Sequence, residues 1–226
     1  MIISKSIHSY LIIIFLLIFL FGSAVVYAAS TTTFTIVINS TSLAVSIVDG
    51  SGTDVISPAV TFSSTDRNDT CTTVTGKLGT ATQKIQVNNP GAADGGWVLS
   101  IAAAATTDTW TSSTDSNKKF DFNDPGGSGC TDGSDTDGFG GQLSIDASGS
   151  TLTGLDSVVT TGISKGSSGS FSEGSTDSIA LLTAASSSAD FGKWDLTDVS
   201  LSQEIPASQA AANDYSLSMV LTVTAQ

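Results

Sequence analysis

The chain has 226 residues, with 8 basic and 21 acidic side chains, two cysteines, one histidine and a net charge of −13. Such a charge sets it against nucleic acid and anionic lipid surfaces, whose phosphates repel carboxylates. The one histidine, His8, lies in an apolar N-terminal stretch, so the rest of the chain has no imidazole for Ser-His-Asp or Cys-His catalysis or for zinc and copper ligation.

The first element is that stretch. Lys5 and His8 precede "YLIIIFLLIFLFGSAVVYAAS", which starts at Tyr10. A basic start, an apolar run, and the small residues Val26 and Ala28 at the −3 and −1 positions read as an export signal over residues 1–28. Cleavage after Ala28 is expected to release residues 29–226 as a secreted, extracellular or surface-associated domain. Retention as an anchor is the alternative, because Tyr10–Ala29 is long enough to cross a bilayer as a helix. No cysteine adjoins the cut and no apolar tail follows "LTVTAQ", so no lipid or second membrane anchor is expected. Cleavage removes Lys5 and no acid, which takes the net charge to −14.

Strand signals dominate the rest of the chain. In "TFTIVINS", Phe34, Ile36 and Ile38 share one face at period two. "SLAVSIV", "AVTFSS", "QKIQVNN" and "GWVLSIAAA" come next, divided by Gly, Asp, Asn and Pro clusters. "GQLSIDAS", "DSIALLTAA" and "KWDLTDVSLSQEI" succeed them, and the chain closes on a long two-faced run, "DYSLSMVLTVTAQ". Between them, "SKGSSGSFSEGSTDS" reads as a surface loop around one buried Phe171. No helical periodicity appears after residue 28, and "IPASQAAAND" offers one short turn at most. The pattern predicts an all-β protein, an antiparallel β-sandwich of Ig-like or jelly-roll-like kind preceded by the signal helix. Residues 29–226 are expected to form a single domain.

Cys71 and Cys130, in an exported chain, are expected to form one disulfide; two free thiols are the alternative. A bridge also removes thiolate nucleophiles and thiolate metal ligands. What remains is carboxylate chemistry. The only glutamates, Glu173 and Glu204, sit in a Ser/Gly loop and at a strand end. Nothing pairs an acid with a base, so no enzymatic role and no catalytic residue is expected.

The stretch "DFNDPGGSGCTDGSDTDGFGG", Asp121 to Gly141, holds five aspartates and seven glycines. Calcium prefers oxygen ligands, and Asp121, Asp124, Asp132, Asp135 and Asp137 supply candidates beside glycines that permit tight turns. The spacing departs from an EF-hand loop: aligning Asp135, Asp137 and Gly138 puts Gly133 first and Ser144 twelfth. Any calcium site would be irregular, and a solvated, mobile loop is the alternative. Trp110, Phe120, Phe122 and Phe139 flank this region and are candidates for framing a sugar or partner surface. Phe120 and Phe122, two apart, are expected to share an inward strand face.

"KIQVNNPGAADGGWVLSIAA" resembles the first half of a WxL-type bacterial cell-surface domain, through Trp97, Val98 and Leu99 behind Gly95 and Gly96. "DVSLSQEIPASQAAANDYSLSMVLTVTAQ" resembles the end of such domains, through Ile205, Pro206, Ala207, Ala210, Ala211 and Tyr215. A full WxL domain carries its second Trp-x-Leu in the last strand, whereas here Trp194-Asp195-Leu196 lies earlier in the chain. The resemblance implies an exported β-sandwich held non-covalently by the bacterial cell wall or by surface proteins. It implies a Trp97 that plugs the core while the two glycines relieve crowding around the indole. The expected function is a non-enzymatic structural or adhesive surface domain. The alternatives are a fibre or surface-layer subunit, whose "TFTIVINS" pairs with a neighbour's open sheet edge, and a calcium-dependent carbohydrate-binding module.

Overall fold

A computed structural model describes residues 42–226 apart from 92, 126–128, 134–136 and 187–190, together with Ile36. The expected signal at 1–28 and most of "TFTIVINS" lie outside the described residues. Among the described residues the regular structure is strand alone. In chain order the strands are β1 (Ala44–Val48), β2 (Thr72–Leu78), β3 (Lys84–Pro90), β4 (Trp97–Ala103) and β5 (Trp110–Ser112). Next are β6 (Lys119–Phe120), β7 (Gln142–Asp146), β8 (Thr151–Gly154), β9 (Ile163–Lys165) and β10 (Gly169–Ser170). The last five are β11 (Ser178–Ala184), β12 (Phe191–Thr197), β13 (Val199–Ile205), β14 (Tyr215–Ser216) and β15 (Met219–Ala225).

Among the described residues every pairing is antiparallel, and the strands make three four-stranded sheets, β1-β3-β12-β8, β10-β7-β13-β2 and β15-β4-β11-β9, plus a small one, β14-β5-β6. The result is an all-β, sandwich-like fold. Alternation explains which side chains it buries. In β4, Trp97, Leu99 and Ile101 point inward and Val98, Ser100 and Ala102 outward. Ile85 and Val87 of β3, Leu143 and Ile145 of β7, and Val199 and Leu201 of β13 repeat the pattern and join one core. β11 breaks it. An extra residue at its centre, between Ala180 and Leu182, turns both Leu181 and Leu182 inward. Gly166 sits against that bulge, where any side chain would strike the Ala180 carbonyl.

Two runs that read as single strands are pairs of strands. "KWDLTDVSLSQEI" leaves the first sheet as β12 and enters the second as β13, turning at Asp198, whose φ is 64°. "DYSLSMVLTVTAQ" divides at Leu217 and Ser218 into β14 and β15, which belong to different sheets. "AVTFSS" makes only an isolated bridge, Phe62 opposite Gly76. Phe171, expected as the buried anchor of a surface loop, is fully buried.

The glycines before Trp97 act differently from expectation. A side chain at Gly95 would meet the Gln226 carbonyl, and one at Gly96, whose φ is 98°, the Ala184 carbonyl. They admit neighbouring backbone, not the indole. Phe120 and Phe122 also part company. Both are buried, but Phe120 packs against Trp110 and Tyr215, while Phe122 meets Phe171, ring centroids 5.4 Å apart.

Candidate functional site

The two Trp-x-Leu tripeptides lie on central strands of different sheets, β4 and β12. Both tryptophans and both leucines are fully buried, and the two indoles meet at 5.6 Å with their planes tilted by 42°. Trp194 Nε1–H donates to the Val159 carbonyl at 2.9 Å, so its polar atom is satisfied inside the core. The middle residue of the second tripeptide faces the other way. Asp195 accepts from Lys84 Nζ at 3.0 Å and Gln86 Nε2 at 2.9 Å on β3. The tripeptides are packing elements, with no ring surface left to offer a partner.

A second aromatic group behaves otherwise. A cleft of 520 Å³ opens between residues 60–68 and residues 205–213. Phe62, Trp110, Phe120 and Tyr215 line it, drawn from four separate places in the sequence. Phe62 meets Trp110 edge-on at 5.5 Å, Trp110 stacks on Phe120 at 6.0 Å, and Phe120 meets Tyr215 edge-on at 5.1 Å. Phe120 is buried, and the other three keep part of their surface.

Local chemistry holds these rings in place. Phe62 reaches the cleft because residues 59–63 run beside β2. Ser63 N–H donates to the Thr75 carbonyl at 2.7 Å, and Ser63 Oγ accepts from Thr75 N–H at 3.1 Å. Gly76, in mid-strand, permits that approach: a side chain there would stand 3.2 Å from the Thr61 carbonyl and 3.4 Å from Phe62. Trp110 is fixed from below by Gln203, a buried amide on β13. Gln203 Oε1 accepts from Trp110 Nε1–H at 2.8 Å, and its Nε2 donates to the carbonyls of Asp121 and Glu204 at 3.1 and 2.8 Å. One end of the amide holds the indole, and the other anchors the amide to the backbone.

The opposite wall is tied down as well. Tyr215 Oη donates to the Ala210 carbonyl at 2.7 Å and accepts from Gln209 Nε2 at 2.8 Å. Lys118 Nζ donates to the Ala211 carbonyl at 3.0 Å. Asp214 accepts from Ser112 Oγ at 2.7 Å, Ser113 Oγ at 2.8 Å and Thr114 N–H at 2.9 Å. These bonds hold its carboxyl well below the usual carboxylate range, Ser112 contributing most. One end of the cleft is closed where Ser208 N–H donates to the Asn68 carbonyl at 2.7 Å. The exposed side chains of Asp66, Arg67, Asn68 and Asn213 stand around the mouth. An apolar, preformed floor under a few polar groups of mixed sign is the usual composition of a small-ligand or segment-binding site. A second depression of 770 Å³ crosses the outer face of the β7-β13-β2 strands, lined by hydroxyls such as Thr75, Ser144 and Ser202 and by no aromatic ring.

Cys71 and Cys130 are bridged, with Cα atoms 5.2 Å apart. Cys71 follows Thr70 in the cleft wall, so the bridge staples that wall to the acidic loop. Glu204 lies beside it, with Oε2 3.6 Å from Cys71 Sγ and Oε1 accepting from Thr73 Oγ at 2.7 Å. These three form the one gathered trio of ligand-type side chains among the described residues. Bridged sulfurs are not thiolates, so the trio is no metal site.

The base of the acidic loop is built in rather than solvated. Asp121 N–H donates to the Gly140 carbonyl at 2.9 Å, Asp124 N–H to Gly141 at 3.1 Å and Leu143 N–H to Phe122 at 2.6 Å. Gly141 is required there, since a side chain would strike the Asp121 carbonyl at its φ of 140°. Asp121 and Asp124 are buried, and Asp121 Oδ1 accepts from Phe122 N–H at 2.7 Å. Asp132 and Asp137 are exposed. Asp137 caps the Phe139 N–H at 2.8 Å, the ordinary work of an aspartate in a turn. Asp135 lies outside the described residues. Among the described residues the loop's aspartates do not gather in threes. Phe139 lies under Lys119 Nζ at 4.4 Å, outside the cleft lining.

Sequence pattern alone points to Trp110 and Phe120 for this surface, but not to Phe62, Gln203, Gln209 or Tyr215. Gly76 is the one available signal, since a glycine inside a strand pattern marks close approach of another chain segment. Comparison with protein-family models, with curated proteins and with solved structures finds no match to this chain.

Proposed function

We propose that this chain is an exported, non-enzymatic cell-surface domain that adheres to the bacterial cell wall or to a wall-associated protein through its aromatic cleft. The cleft carries the reading: four rings, set by hydrogen bonds at Trp110 and Tyr215, stand between two tethered walls and leave apolar surface reachable from solvent. Its mouth carries one acid, Asp66, and one base, Arg67, and adds neutral amides, which suits a neutral, hydroxyl-rich or amide-rich partner. The acidic chain as a whole disfavours an anionic polymer.

Export after Ala28 is supported by the signal-like first 28 residues and by the bridge, which forms in oxidising compartments. The absence of an enzymatic role is supported by a chain without histidine beyond residue 8 and by both cysteines being bridged. An Ig-like or jelly-roll-like sandwich of the WxL type fits the two core tripeptides, with wall contact moved away from them. Weak calcium binding by the acidic loop belongs to the same reading, on the density of carboxylates beside tight-turn glycines between Asp121 and Gly141. The test is retention of the exported form on purified cell wall, with and without a chelator, and with soluble neutral glycan as competitor. Saturable retention is expected. Free passage over both wall and wall-associated protein would overturn the reading.

A further inference from the structure

In the sheet β15-β4-β11-β9, β15 is an edge: among the described residues no strand pairs with its outer side. The phase of its backbone is fixed. Ala104 N–H donates to the Ser218 carbonyl at 3.2 Å, and Gln226 N–H to the Gly96 carbonyl at 3.0 Å. Both bonds continue the register that runs from Met219 opposite Ala103 to Ala225 opposite Trp97. Antiparallel neighbours exchange bonds at every second residue. Val220, Thr222 and Thr224 therefore turn their backbone groups toward β4, and Met219, Leu221, Val223 and Ala225 turn theirs outward.

This edge is apolar and undefended. The side chains of Met219, Leu221 and Val223 pack toward the core yet stay only half buried. β1, the edge of another sheet, lies against β15. Val45 of β1, and Leu43 just before it, are also half buried against the core. Together they frame an apolar seam. β15 has no charge, no proline and no bulge, the devices by which edge strands avoid pairing.

We propose that this edge receives residues 33–40 of a second copy as an added strand, joining subunits head to tail. The sequence "TFTIVINS" alternates, with Phe34, Ile36 and Ile38 on one face. Ile36, the described residue of this segment, is 83% exposed. Laid along β15, the segment offers a backbone group at every second residue, as the outward groups of Met219, Leu221, Val223 and Ala225 require. Its apolar face then covers the seam. Donor and acceptor are different surfaces, so the contact does not close on itself and generates open chains. None of the residues that line the cleft takes part, so assembly and wall adhesion stand or fall separately.

Sedimentation of the exported form, beginning at Ala29, tests it across a wide range of concentration. The average mass is expected to climb past that of a dimer. An excess of synthetic TFTIVINS peptide should return it to monomer. The double variant Ile36→Asp with Ile38→Asp should stay monomeric while keeping the unfolding midpoint and the wall retention of the parent. A parent that is monomeric at every concentration overturns the proposal, and so does assembly that survives the double substitution. A midpoint that falls in the dilute variant also overturns it, because the segment would then be pairing with its own chain.

Discussion

Trp97 and Trp194 lose all contact with solvent, whereas Trp110, with Phe62 and Tyr215, keeps part of its surface in an open cleft. The two groups contain similar rings at similar spacings, and what separates them is the environment of their polar atoms and neighbours. The core pair sits on central strands, surrounded by alternating aliphatic residues. The cleft group is assembled from strand ends and connections, and is held by the Gln203 amide at Trp110 and by Gln209 and the Ala210 carbonyl at Tyr215. A Trp-x-Leu tripeptide can therefore be a packing device, and the adhesive surface proposed for this molecule lies elsewhere.

The largest effect should come from the core. Trp97→Ala or Trp194→Ala is expected to cost about 3–5 kcal/mol, read from denaturant midpoints, as for other fully buried large rings. The double variant should reveal a coupling of about 0.5–1.5 kcal/mol from the tilted indole contact. A cost under about 1 kcal/mol at either position would erase the contrast between the two groups.

Next comes the staple that joins the cleft wall to the acidic loop. Replacing both Cys71 and Cys130 by serine should cost about 4 kcal/mol by chain entropy for a loop of this length, with the shift disappearing when both forms are compared in reductant. An unchanged midpoint would mean that the bridge constrains nothing the fold does not already hold.

A smaller effect sharpens the picture of the cleft wall. Hydrogen bonds from Ser112, Ser113 and Thr114 depress the pKa of Asp214. A group whose folded pKa lies below its unfolded one contributes stability above the unfolded value, about 3.9 for aspartate, and loses it as pH falls through the folded value. The advantage of the parent over Asp214→Asn should be level between neutral pH and about 4 and shrink below that. An advantage that did not change down to the acid limit would show the clamp to act through shape rather than charge. The smallest effect is expected from calcium. Millimolar calcium should raise the thermal midpoint slightly, magnesium less, and Asp135→Asn with Asp137→Asn should remove the rise. A titration without saturable heat would reduce the loop to a set of capped turns.

The core is largely legible in the sequence, because β4, β7 and β13 alternate cleanly and each inward residue belongs to a period-two set. The pairing of the two cysteines is legible for a simpler reason, there being no others. The break at Asp198 is not, since a left-handed turn at a residue other than glycine leaves no mark in the hydrophobic pattern. Leu217 and Ser218 hide the division of the last strand in the same way, because alternation runs on unbroken through both. The cleft is least legible. Phe62, Trp110, Gln203 and Tyr215 are far apart in the chain, and their meeting depends on the order of strands across sheets, which local pattern does not carry. Gln203 reads as one more polar residue in a strand until the neighbours that engage its amide are known.

If the tripeptides pack and the cleft binds, substitutions in the two groups must separate stability from adhesion. The most direct test is retention on purified cell wall of two folded variants, Trp97→Phe and Phe62→Ala with Arg67→Ala, each measured well below its unfolding midpoint. Parental affinity is expected for Trp97→Phe, and at least about tenfold weaker retention for the cleft variant, a loss of about 1.4 kcal/mol. Parental retention by the cleft variant, together with loss in Trp97→Phe, would contradict this division of labour and return binding to the Trp-x-Leu tripeptide.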